Sequence, residues 1–223
     1  IYTSENIYPW LSKQDDFENA LVNRIPLPEG YVRINLPKGS FGEWLRFLPL
    51  KPGKPSVHLH NGNKKWNQSA HVAVVNVDVG EKDLQQCADA VMRMRGEFLY
   101  SQKEFEKINF NFTSGDANPF SKWTQGYRPS VRNDKVSWNK PASAGSDYSV
   151  FKKYIFNVFI WSGTVSLRDQ MKPVSDVDDI MPGDVFVLGG FPGHAELVMD
   201  VARHKETGKK IFLLAQSYMP AQD

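Results

Sequence analysis

Residues Met181–Tyr218 read MPGDVFVLGGFPGHAELVMDVARHKETGKKIFLLAQSY. Three strand-like runs stand here in series: GDVFVLGG, HAELVMDVAR and KKIFLLAQSY. Phe191-Pro192-Gly193 separates the first two, and KETGK separates the second from the third. Connections this short leave no room for a crossover, so the runs must pair as an antiparallel meander. The stretch also presents His194 at the mouth of the middle strand, directly after a glycine. A histidine placed there is either a loop residue bonded to a carbonyl or a base awaiting a proton donor.

Upstream of the meander the pattern turns helical. DYSVFKKYIFNVFIWSGTVSL is nearly continuously apolar and predicts a buried helix. EKDLQQCADAVMRMRGEFLYSQ predicts the strongest helix of the chain. Leu84, Cys87, Ala88, Val91, Arg95 and Phe98 fall on one face of it, Cys87 about one turn inside, with Glu81 or Asp83 at its N-terminal end. Helices beside an antiparallel meander make the fold class α+β, an antiparallel sheet packed against the cysteine-bearing helix.

The N-terminal part adds smaller pieces. AHVAVVNVDV reads as a strand, and SVHLHNGNKKW as a hairpin turning at Asn61-Gly62-Asn63. Ser40 and Glu43 form a capping box opening FGEWLRFL, which Pro49 ends, and YVRIN alternates as a short strand. Residues 1–30 read as a lead-in arm, with DDFENALVNRI a short helix capped by Asp15 or Asp16. Residues 111–149, rich in Ser, Gly, Asn, Pro and Trp, read as a long aromatic loop with little regular structure, of the kind used as lids or binding loops. One domain over residues 1–223 is expected.

Composition narrows the classes. Apolar residues are 41% and charged residues 23% of the 223, a globular balance rather than a disordered one. The formal charge of +2, without a basic stripe interleaved with aromatics, argues against nucleic acid. No apolar run of membrane-spanning length occurs. A single cysteine can form neither an internal disulfide nor a cysteine-rich metal site. His58, His60 and His71 share a sheet region, but no carboxylate sits at a diagnostic spacing. They read as solvated residues rather than a zinc site, and no metal or cofactor is called for. A variant makes His71 the base for Cys87, with Gln68 stabilising an oxyanion. Asp184 in the Pro-Gly-Asp turn reads as a turn residue.

A thiol nucleophile needs a base, and the base needs a third group to orient it. Cysteine in a helix, then PGDVF…GHAELVMDV, then a polar residue on the next strand resembles the NlpC-type branch of the papain-like cysteine peptidases, including the CHAP amidases. The resemblance implies Cys87 as nucleophile, His194 as base and Gln216 as orienting residue, with Gln222 the alternative third residue. It implies amide hydrolysis through an acyl-enzyme, with a peptidoglycan stem peptide as substrate. Cys87 also reads as a core residue, because it shares a face with Leu84 and Val91.

The stretches DLQQCADAVMRMRGEFL, GDVFVLGGFPGHAELVMDVA and LLAQSYMPAQD also resemble an uncharacterised domain family of secreted or lipid-anchored proteins of Bacteroides-type anaerobes. That likeness implies a periplasmic, cell-surface or secreted location. Trp123, Tyr127, Arg128 and Trp138 suggest a platform for a sugar or peptide, or else aromatics that pin the loop to the core. A competing expectation is therefore a non-catalytic envelope protein that binds a cell-wall glycan or peptide. In either case a monomer is expected.

Overall fold

In a computed structural model, residues 7–11 and 17–223 are described. The proposed caps Asp15 and Asp16 lie outside these residues. The meander forms as expected: β4 (Val185–Leu188), β5 (His194–His204) and β6 (Lys210–Ala215) pair antiparallel in series. The Gly208 turn closes the second hairpin, with the His204 N–H donating to the Lys209 carbonyl at 2.9 Å. The strand β1 (Tyr31–Arg33) pairs antiparallel with the far end of β5, so the long β5 is the centre of the sheet. The chain is α+β with antiparallel sheets.

Alternation divides β5 between two environments. Ala195, Leu197 and Met199 are buried, and the partners Val185, Val187 and Ala215 pack on the same core. The opposite face carries exposed Phe186, Leu188 and Leu214 beside His194 and Glu196. Further along, Ile180, Val198 and Val201, with Ile34 and Phe212, cover this second face as a small cluster. One extra residue, Met199, interrupts the ladder between the pairs Val198–Leu214 and Asp200–Leu213. It is a β-bulge, two residues on one strand facing one on the other.

The core face is covered by α3 (Cys87–Ser101). Sequence reasoning started this helix at Glu81; it starts at Cys87, because Asp89 caps it. The Asp89 carboxylate accepts from the Gln86 N–H at 3.0 Å, the return arm of a capping box. Asp83 lies before the helix, accepting from the Gln86 side chain and from the Ala221 N–H. The expected apolar stripe is also wider than a stripe. Ala88, Val91, Met92, Met94, Phe98 and Leu99 are buried together with Arg93 and Glu97, so α3 is enclosed nearly all round. Arg95 is instead exposed.

Around α3 stand α1 (Leu21–Arg24), α2 (Phe41–Arg46), α4 (Phe120–Thr124), α5 (Tyr148–Trp161) and α6 (Thr164–Gln170). Ser40 caps α2 as expected, accepting from the Glu43 N–H at 3.2 Å. The long apolar helix breaks at Ser162-Gly163 into α5 and α6. It buries one face, Phe151, Tyr154, Ile155 and Val158, and leaves Phe156, Ile160 and Trp161 exposed.

Two expectations are corrected. The aromatic excursion is not irregular: it contains α4 and the hairpin of β2 (Arg128–Arg132) with β3 (Lys135–Asn139). Its turn places Asn133 and Asp134 at φ of 49° and 58°, the left-handed pair that a two-residue hairpin requires. AHVAVVNVDV is not a strand. Leu50 and Val75 form one isolated bridge, and the rest is irregular chain across the core. The Asn61-Gly62 hairpin forms as a tight turn, the Leu59 N–H donating to the Asn63 carbonyl at 2.8 Å.

Candidate functional site

Cys87 is the first residue of α3, not a turn inside it, and its side chain is half-buried. Unbonded N–H groups at a helix start favour a thiolate there. Residues four and seven positions on, Val91 and Met94, share its face of the helix, which lies over the sheet.

His194 opens β5, with its ring half-exposed on the face of the sheet away from α3. Its Nε2 lies 2.5 Å from Oε1 of Gln216, just past the end of β6. An amide oxygen only accepts, so Nε2 is the donor in this bond. A regular hairpin centred on Thr207 would put Pro220 opposite His194. The bulge at Met199 and a turn centred slightly earlier bring Tyr218 there instead, its ring centroid 5.4 Å from the imidazole. Glu196, two residues along the same face, stands 3.6 Å from Nε2. Sequence reasoning overlooked Glu196 and Tyr218. Simple alternation exposes the first, whereas the second is visible only once the bulge is known.

The two halves meet at one end of the sheet. The Ser217 hydroxyl, next to Gln216, donates to the Gln85 carbonyl at 2.8 Å, two residues before Cys87. Among the described residues no hydrogen bond joins the thiol to the imidazole. Gln222 is not at the imidazole. Its backbone pairs with Leu59, and its N–H donates to Ser217 Oγ at 3.2 Å.

Asp89, beside Cys87 in sequence, is buried, and burial raises its carboxyl to about 7 against the backbone N–H groups that favour its charge. One of its oxygens is buried without a partner. Further along α3, burial likewise raises Glu97 to about 7, although Arg93 and the Tyr148 hydroxyl, at 2.8 Å, oppose the shift.

The other sequence candidates sit apart from His194. Trp123 is buried, its indole N–H donating to Asn118 at 3.1 Å and its face covered by Arg128. Arg128 donates to the carbonyls of Trp123 and Tyr127, so its guanidinium is committed to the backbone. Lys140 lies over the ring of Tyr127 and Lys122 over that of Trp138. Trp138 also meets the buried Phe112 ring at 6.5 Å between centroids, so the hairpin touches the core there. His60 bonds the Glu81 carbonyl and His71 the Pro55 carbonyl. Gln68 is spent on Val57 and Lys65, which leaves it no free donor for an oxyanion. Asp184 accepts from the Met181 N–H at 2.8 Å, as a turn residue does.

No helix among the described residues is long and apolar enough to cross a membrane. Over residues 21–223 the chain matches a family described as a domain of unknown function (4846). No curated protein and no solved structure matches it.

Proposed function

The chain belongs to the family described as domain of unknown function 4846, and we propose that it is a papain-like cysteine hydrolase of amide bonds. The observation that supports this reading is the bond from His194 to Gln216. In this reading Nε2 donates to the amide and Nδ1 serves as the base, and the Ser217–Gln85 bond ties that end of the sheet to the segment leading into α3. Cys87 loses its proton to His194 and attacks the amide carbonyl carbon. The C–N bond breaks as His194 returns that proton to the leaving amine. Water, deprotonated by the same imidazole, then cleaves the thioester. His194 stands on the face of the sheet away from α3, so contact between Sγ and Nδ1 requires the ring and its Gln216 partner to turn together about the end of the strand. Catalytic hydrogen bonds are often long in unliganded enzymes and tighten with substrate. Peptidoglycan stem peptides as substrates follow from the NlpC-type resemblance, and an envelope setting from the likeness to secreted and lipid-anchored proteins.

The test is the rate of Cys87 alkylation by iodoacetamide against pH, in wild type and His194→Ala. The expected result is an apparent pKa below the free-thiol value of about 8.5 that rises towards it in the variant. Alkylation only after denaturation would make Cys87 a core residue and sink the hydrolase reading. The absence of a thiol–imidazole bond favours a second reading in that event: a scaffold that binds a cell-wall glycan or peptide without turnover.

A further inference from the structure

A cavity of about 240 Å³ lies between α3, the end of the sheet and the segment 70–77. Ala90, Val91 and Met94 of α3 form one wall, Leu197, Met199 and Leu213 of the sheet another, and Ala73, Val74 and Val75 a third. Neither Cys87 nor His194 lines it. It is partly open to solvent past Ala70 and Val72, and an apolar cavity of about 150 Å³ already binds benzene.

Three features make it more than a packing defect. Lys65 lines the cavity at its rim, half-exposed and with no ion-pair partner among the described residues; its ammonium lies over the Tyr218 ring, from which a swing of the side chain brings it to the cavity mouth. Gln222 also lines it and is buried, yet its side-chain amide makes no hydrogen bond among the described residues. That amide is open to a ligand atom in the cavity. Asp223, the acid in the lining, is neutralised by Lys51 and accepts from the His58 N–H. The net character is therefore aliphatic walls with an uncompensated cation and an amide donor.

We propose that this cavity binds a medium-length aliphatic carboxylate, its chain along the valines and its head on Lys65 and Gln222. At roughly 30 Å³ for each group the size of a water molecule, the space holds about eight such groups, so a chain of about eight carbons fills it. Entry is through the segment 66–73, which is tied down by side chains. Gln68 bonds the Val57 backbone and the Lys65 carbonyl, and His71 bonds the Pro55 carbonyl at 2.9 Å. The site is independent of whether Cys87 reacts.

The experiment is calorimetric titration of the whole chain with sodium octanoate, with octan-1-ol as the uncharged probe, and with thermal melting alongside. Octanoate is expected to bind and raise the melting temperature. Lys65→Met should weaken octanoate by about tenfold, the loss of one charge-assisted bond, while leaving octanol within about twofold. Ala90→Leu fills the space from α3 and should abolish binding of both probes. Ala73→Leu does the same from the opposite wall if the first variant misfolds. No heat with octanoate, or wild-type affinity in a folded cavity-filling variant, overturns the site. Equal loss of octanol and octanoate in Lys65→Met overturns the head-group assignment.

Discussion

At the scale of single residues, Asp89 has the clearest measurable consequence. Burial disfavours the charge and pushes its carboxyl up to about 7, above the ordinary value of 3.8. The folded state then holds the proton more tightly than the unfolded state between those values. Stability from this group is complete at low pH and is lost as pH rises through about 7. Asp89→Asn keeps an oxygen for the Gln86 N–H and removes the titration. The variant should match wild type in urea unfolding near pH 4 and exceed it by on the order of 3 kcal/mol at pH 8. A pH-independent difference would show that Asp89 does not titrate in this window. Cys87 and His194 were legible at this scale as candidates, because helix and strand patterns flank them. Asp89 was not. Its capping role depends on where the helix begins, and the apolar periodicity of DLQQCADAV does not mark that point.

At the scale of elements, caps decide boundaries that periodicity leaves open. Asp147 caps α5, accepting from the Ser149 N–H at 2.9 Å and the Val150 N–H at 3.3 Å. Asp147→Ala should destabilise the fold, read as a lowered midpoint of urea unfolding at an unchanged slope. The meander was legible because its turns are short and its strands alternate. The β2–β3 hairpin was missed because RNDK lacks glycine, although Asn and Asp enter the left-handed region more easily than other side chains. AHVAVVNVDV failed in the opposite direction. Its composition suits a strand, but apart from the Leu50–Val75 bridge it runs unpaired over the cavity.

At the scale of the whole molecule, Asp200 ties the N-terminal part to the sheet. This buried carboxylate on β5 accepts from Arg33 of β1 at 2.6 Å and from Arg46 of α2 at 2.7 Å. The pairs are partly solvated at the arginine side. Asp200→Ala should therefore cost about 3 kcal/mol, the lower end for a broken buried ion pair. In wild type, tryptophan fluorescence and far-UV circular dichroism should report one coincident unfolding transition. Two transitions would divide the chain into separately folding parts.

The bulge at Met199 has a further consequence. In a strand, facing alternates strictly, so one inserted residue reverses the phase of everything beyond it. Counted back from Val201 opposite Phe212 without that insertion, His194 would point towards α3 while Gln216 stayed on the other side. The insertion is what lets the ring and the amide share a side. Deleting Met199 should keep the turn at Gly208 and uncouple the two groups, so a single backbone step decides what the imidazole can address.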